Sequence, residues 1–256
     1  MKVIFLHIPK TAGQSVHAAL VDGFGNDSVC PARTNEQLMC MSITELNRYQ
    51  VFSGHFDWSL LDCIRGPRYV FTVLREPIDR ALSFYFYLRS QAEGLSKEEL
   101  GRPEYVGLKA AIELSPNEYF MGGPPDLRAF LDNHYDNFYT YYFSGRHHKA
   151  REEFVGLIAQ GTLSPGAVLQ QAKDNLAHLD NVFSVDDLDS AFASIGAIST
   201  NEIVSRDRYF INANSRIPKL SRKSELAALG ADDATLEKIE KYGELDNEIW
   251  KLYSGK

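Results

Sequence analysis

The feature that most narrows the possible folds is a strand-length apolar run, residues 3–8, that opens onto Pro9-Lys-Thr-Ala-Gly-Gln-Ser15. A helical pattern over 16–21 follows and ends near Gly23. The arrangement returns at residues 69–74, a second apolar run followed by Arg75-Glu-Pro-Ile-Asp79 and a helix expected from Arg80 to about Ala92. Two more short runs, 51–53 and 181–185, share this β-branched and aromatic character. Such runs, separated by helical patterns, predict buried parallel strands covered by helices on both faces. The expected fold class is α/β, three layers around a central, mainly parallel sheet.

Between about 93 and 180 no convincing strand occurs. This stretch reads as a helical insertion broken at Gly94, Pro103, Pro116, Gly122 to Pro125 and Ser164-Pro-Gly166. Its aromatic segment Phe138-Tyr-Thr-Tyr-Tyr-Phe143 is expected to pack in the core, with a substrate-facing role for one or two tyrosines as the other reading. Residues 232–253 predict one amphipathic helix, with Leu236, Ile239, Leu245, Ile249 and Leu252 at helical spacing. With 256 residues, no repeats and no low-complexity linker, one domain over 1–256 is expected. Three cysteines, Cys30, Cys40 and Cys63, are odd in number and form no C-x-x-C pair. Neither a disulfide framework nor a structural zinc site is indicated, and no metal is expected. The first apolar run is too short for a signal-peptide core, and nothing approaches the ~20 apolar residues of a membrane span. A soluble, cytoplasmic protein is expected.

The net charge of −7 argues against general nucleic-acid binding. The charge is uneven, however. Residues 206–223 carry six basic side chains against one acid, whereas acids dominate from Glu225 onward. A basic island in an acidic chain is a candidate anion site, or simply a solvated strip.

A short loop between a buried strand and a helix turns several N–H groups toward one spot, and the helix dipole favours negative charge there. In the first loop Ala12 and Gly13 would let an anion approach the backbone, Thr11 and Ser15 offer hydroxyls, and Lys10 supplies a mobile charge. It is not a Walker A loop, because Lys10 precedes Gly13 and no Gly-Lys pair follows. A plain β–α turn capped by Thr11 or Ser15 is the competing reading. In the second loop Arg75 stands at a strand's C-terminal end, where open α/β sheets bind ligands. Ser83, about one turn into the next helix, would help Arg75 grip a second phosphate. The alternative is an arginine salt-bridged to Glu76 or Asp79.

His7-Ile-Pro-Lys-Thr-Ala-Gly-Gln-Ser15 together with Leu74-Arg-Glu-Pro-Ile-Asp-Arg-Ala-Leu-Ser-Phe-Tyr85 resembles the paired nucleotide motifs of PAPS-dependent sulfotransferases, which share a P-loop-like fold. The closest likeness is to the carbohydrate branch typified by heparan sulfate 2-O-sulfotransferases, as a bacterial-type soluble member. Ser53-Gly-His-Phe56 is similar to the segment carrying that family's catalytic histidine. Gln171-Ala-Lys-Asp-Asn-Leu176 with Val182-Phe-Ser-Val-Asp186 has the family's helix-then-strand look. Asn212-Ala-Asn-Ser-Arg216 with Lys219 falls where the family has a basic segment, here about 206–223, over the nucleotide. Gln14 replaces a commoner threonine or serine, and residues 93–165 match only loosely.

The resemblance implies that the N–H groups from Thr11 through Ala12, Gly13 and Gln14 to Ser15 hold the 5′-phosphosulfate of PAPS (3′-phosphoadenosine 5′-phosphosulfate). Arg75 and Ser83 would bind the 3′-phosphate, with Ser215, Arg216 and Lys219 closing over it. Lys10 would neutralise charge on the oxygen bridging to the departing PAP. A hydroxyl acceptor benefits from a general base, most often histidine. Of seven histidines, His55 is singled out by its place at the end of strand 51–53, on the sheet edge of both loops. His7 reads as a packed, hydrogen-bonded structural residue. His147 and His148, in a basic stretch, read as exposed polar residues or substrate contacts. The acceptor implied is a carbohydrate, a glycan or glycolipid, with Arg146 to Arg151 available to an acidic polysaccharide. Two other functions stay open: an ATP-dependent phosphotransferase, with Asp186 or Asp187 on magnesium, and a nucleotide- or glycan-binding protein without turnover.

Overall fold

The computed structural model describes residues 1–201 and 221–255. Four strands, β1 (Lys2–Leu6), β2 (Val51–Gly54), β3 (Arg68–Leu74) and β4 (Asn181–Ser184), form an all-parallel sheet in the order β2-β1-β3-β4. β1 pairs with both neighbours along its length, Val3 with Val51 on one side and with Tyr69 on the other. Alternate side chains of β1 feed two different cores, as a pleated strand requires. Val3 and Phe5 pack with Val16, Leu20, Leu188 and Phe192. Ile4 and Leu6 pack with Phe138, Tyr139, Leu176 and Ile249. The expected three-layer α/β fold with a central parallel sheet is the fold observed.

Six helices position the site. They are α1 (Gly13–Phe24), α2 (Pro77–Ala92), α3 (Pro125–Tyr135), α4 (Phe138–Gly145), α5 (Leu188–Ile198) and α6 (Arg222–Ala228). α2 starts three residues before the expected Arg80, because Pro77 suits the first turn and the Glu76 carboxylate accepts the Asp79 N–H at 2.5 Å. Ser83 therefore stands about two turns in, not one. Strand order 2-1-3-4 reverses chain direction across the sheet between β1 and β3. The loops after those two strands thus diverge and leave a crevice at their C-terminal ends.

The single C-terminal helix expected over 232–253 is in fact two, α7 (Asp233–Tyr242) and α8 (Glu244–Tyr253), broken at Gly243. The break is stabilised from outside the segment. Asn137 donates its backbone N–H to the Tyr242 carbonyl at 2.6 Å, and its side-chain oxygen accepts the Leu245 N–H at 2.7 Å. Asp246, in the acidic stretch from Glu225 onward, is 1% exposed. It accepts from the N–H groups of Tyr139 (3.0 Å) and Thr140 (2.8 Å) and from the Thr140 hydroxyl, closing the N terminus of α4. Burial raises its carboxyl to about 6. Among the described residues no helix is long and apolar enough to cross a membrane.

Candidate functional site

β1 stops at Leu6, and the chain turns through two residues with left-handed backbones, Lys10 (φ 70°) and Ala12 (φ 62°). Neither is glycine, so each costs about 1–2 kcal/mol, a strain that gathers where a loop has work to do. Thr11 is buried, and its hydroxyl donates to the Ile8 carbonyl at 2.9 Å, tying the turn shut instead of facing outward. The N-cap of α1 is Ala12, so neither Thr11 nor Ser15 caps the helix as the plain-turn reading required. Ala12 has no side-chain acceptor to offer the first N–H groups of α1. Gly13 is needed for a reason the sequence did not reveal. A Cβ there would lie 1.6 Å from His7 Nε2 and 2.0 Å from its Cδ2, so the His7 imidazole occupies the space.

His7 is packed between Phe5 and His55, with ring centroids at 5.3 and 4.0 Å. The expectation of a packed histidine holds, but its Nδ1 has no hydrogen-bond partner. Burial first, then His55 and Arg33, drives its pKa well down. His55 follows β2 and is fixed by two backbone contacts. Its N–H bonds to the Arg33 carbonyl at 2.8 Å, and Nδ1 lies 2.8 Å from the His7 carbonyl. A carbonyl only accepts, so Nδ1 carries the proton and Nε2 keeps its lone pair. Burial, with smaller contributions from His148 and Arg33, lowers His55 to about 4. The ring is neutral at pH 7.

A cavity of about 600 Å³ at the crevice brings these parts together. Lys10, Ala12, Gly13, Gln14 and Ser15 line it from the first loop, His55 from β2, Arg75 from the end of β3 and Ser83 from α2. Of the expected site residues, Thr11 alone among those described does not line it. Ser215, Arg216 and Lys219 lie outside the described residues. Arg75 is anchored through its backbone, which exchanges hydrogen bonds with the Tyr139 hydroxyl at 2.9 and 3.1 Å. Its Nε stands 3.4 Å from Asp79, so the salt-bridge reading and the cavity reading are both met.

Sequence reasoning missed several lining groups. Arg222, noted only within the basic island, opens α6 and holds Asp79 at 2.6 Å from the side opposite Arg75. Tyr87 lies beneath the Lys10 ammonium, 4.0 Å from ring centroid to nitrogen. Phe84 and His134 complete that wall, and His134 is set by Nδ1 against the Phe130 carbonyl at 2.8 Å. Tyr87 at Ser83 plus four was readable as a same-face neighbour; Arg222 and His134 carried no such signal. No acidic residue lines the cavity among the described residues. Lys10 accordingly falls to about 8, through burial and then repulsion from Arg75 and Arg222.

The stretch 146–151 does not contribute. Arg146 makes a two-pronged pair with Asp62 (2.8 and 3.0 Å), and Arg151 pairs with Asp136 at 2.7 Å. His148 is held by Asp57 at 2.7 Å and packs on Tyr142, while His147 lies 3.4 Å from Glu153. Each of these side chains is engaged by a carboxylate, and neither histidine lines the cavity. No cluster of His, Cys, Asp or Glu suited to a metal occurs among the described residues, and the three cysteines are free.

No curated protein matches the chain. The family described as "Sulfotransferase family" matches residues 1–154, which carry β1 to β3, the Pro9-to-Ser15 loop, His55, Arg75, Ser83 and His134. With 154 of 256 residues matched, the chain belongs to the sulfotransferase family of transferases, enzymes that move a sulfuryl group to an acceptor.

Proposed function

We propose that the protein transfers the sulfuryl group of PAPS to a hydroxyl acceptor, a glycan or glycolipid in the reading from its sequence, with His55 as general base. One observation carries this reading. A neutral histidine with a free Nε2 lines the same cavity as three cations and an uncapped helix N terminus. That combination suits a ligand with two anionic groups beside a reacting alcohol.

The fit is residue by residue. The strained turn and the first N–H groups of α1 hold the 5′ end, where backbone donors and dipole favour an anion. Arg75 and Ser83 grip the 3′-phosphate. His55 Nε2 takes the acceptor's hydroxyl proton as its oxygen bonds to sulfur. Lys10 balances the charge left on the bridging oxygen as the bond from sulfur to PAP breaks. Sulfuryl transfer, like phosphoryl transfer, needs in-line positioning and charge stabilisation more than covalent help. The step calls on no metal, and no observation favours the magnesium-dependent phosphotransferase. The free cysteines support a reducing, cytoplasmic setting.

The test is His55→Ala, assayed with labelled PAPS and by PAP titration. Transfer is expected to vanish while PAP affinity stays within a fewfold, because His55 touches the acceptor and not the nucleotide. A variant keeping more than about a tenth of native turnover would remove His55 from the mechanism, since a general base supplies at least about 100-fold.

A further inference from the structure

Lys10 and Tyr87 come from different elements, the turn after β1 and the middle of α2. The Lys10 ammonium nevertheless stands over the face of the Tyr87 ring, 4.0 Å from its centroid. The ring belongs to a stacked wall. Phe84, three residues earlier on the same helix face, lies 6.5 Å from it at 16°, and Phe84 in turn stacks with His134 at 5.4 Å. A fixed π face thus meets a side chain that is otherwise a point charge on a flexible four-carbon stem.

The charged groups around that ammonium work against it. Arg75 from the end of β3 and Arg222 from α6 line the same cavity and repel it. Asp79 of α2 is already shared between those two arginines, at 3.4 and 2.6 Å. His7 and His55, from the ends of β1 and β2, both have pKa values pushed down by burial and offer no negative charge. Among the described residues, the contact that attracts the ammonium is the electron-rich face of Tyr87. The ring face makes that contact, so a phenylalanine would supply it as well.

We infer that Tyr87 is a positioning residue for Lys10: its ring seats the ammonium at the 5′ end of the bound nucleotide and favours its charged form. The inference rests on the PAPS reading, which puts Lys10 at the oxygen between sulfur and PAP, and adds the group that holds Lys10 there. Without the ring, burial and the two arginines act unopposed. Lys10, already down at about 8, would then lose its proton at still lower pH.

The test needs no acceptor. Isothermal titration calorimetry between pH 6.5 and 9.5 measures affinity for PAP and for adenosine 3′-monophosphate, which lacks the 5′-phosphate. Native PAP affinity should begin to weaken near pH 8, and that of Tyr87→Leu about 0.5–1 pH unit lower. Tyr87→Leu should therefore bind PAP about two- to fivefold more weakly than native at pH 8 and less than about twofold more weakly at pH 6.5. Its affinity for the 3′-monophosphate should not change. Tyr87→Phe should follow the native curve, and in a Lys10→Met chain Tyr87→Leu should have no further effect on PAP. Tyr87 is 42% exposed, so its variants should fold.

Equal weakening toward both nucleotides would mean that the ring touches the nucleoside, and tighter PAP binding would mean that it draws Lys10 away. Either result overturns the inference. So does a Tyr87→Leu curve that matches native, a loss that is the same at every pH, a loss in Tyr87→Phe, or a loss that persists in Lys10→Met. All of these leave the PAPS reading standing. A native chain that binds PAP no more tightly than the 3′-monophosphate at pH 6.5 takes down that reading and the inference together.

Discussion

Gly13→Ala separates two explanations of the first loop. If the glycine exists to let an anion near the backbone, a methyl group there should weaken PAP binding and leave the fold alone. The structure gives a different expectation. The new Cβ would sit at 1.6, 2.0 and 2.1 Å from three atoms of the His7 ring, so the ring must shift by more than 1 Å. It has nowhere easy to go, being 9% exposed and stacked between Phe5 and His55. Overpacking of this kind costs about 1–3 kcal/mol, and a helical alanine returns at most about 1 kcal/mol over glycine. A net loss of about 1–2 kcal/mol lowers Tm by about 2–8 °C in a chain of this length. Turnover should fall about 100-fold, because the His7 carbonyl aims His55 and misplacement of about 1 Å costs that much.

Differential scanning calorimetry, PAP titration and transfer rates on the native chain, Gly13→Ala, His7→Ala and the double variant decide between the two. His7→Ala removes the ring but keeps the carbonyl that holds His55. The double variant should therefore be more stable than the sum of the single effects, with a coupling of about 2 kcal/mol, within the range for residues in contact. A Gly13→Ala chain with Tm within 1 °C of native and PAP binding weakened tenfold or more would refute the reasoning. So would a clash that removing His7 does not relieve.

Two further outcomes follow from buried charge. In kcat/KM, activity should rise with pH through about 4 as His55 loses its proton and fall above about 8 as Lys10 loses its own; in kcat, bound phosphates favour both charged forms and should move both limbs upward by about 1–3 units. An acid limb near 6.5 in kcat/KM would mean that His55 is solvated. Asp246→Ala should cost about 3–5 kcal/mol and lower Tm by more than about 6 °C, because it strands the N–H groups of Tyr139 and Thr140 in the core. The folded-state pKa of Asp246 is raised to about 6, above its unfolded value of 3.8. The ionised carboxylate thus subtracts stability above pH 6, and the gap between native chain and variant should widen as pH falls from 6 toward 4. Calorimetry at pH 7 and pH 5 reads it, and a gap that narrows on acidification contradicts the burial of that carboxylate.

The strands and both loops were legible because a buried parallel strand writes its whole length in apolar residues, and Pro9-to-Ser15 and Arg75 interrupt that pattern at the ends where ligands bind. Grouping His55 with Lys10 and Arg75 followed from its place at the end of strand 51–53 together with the resemblance of Ser53-Gly-His-Phe56. What escaped depends on partners far away in sequence. Asp246 has the surroundings of a surface acid in the sequence and becomes a buried cap only when α4 arrives, 106 and 107 residues earlier in the chain. The break at Gly243 needs Asn137 from a different helical hairpin. Arg146 and Arg151 looked available for an acidic glycan, since nothing local announces Asp62 or Asp136 as their partners.

The crevice holds what a free protein would be expected to avoid. It has two left-handed non-glycine residues, two arginines sharing one carboxylate beside Lys10, and a helix N terminus without a side-chain cap. On the proposed reading, each feature is relieved by the same event, the binding of a polyanion. Lys10 would regain its preferred charge, and Arg75 and Arg222 would gain opposite charge beyond Asp79. Binding energy is thus drawn from strain and repulsion already built into the loop. The neighbouring His55 is held differently, by backbone contacts on both sides that owe nothing to the ligand. If the proposed reading holds, a site divided this way tightens on its nucleotide without moving His55.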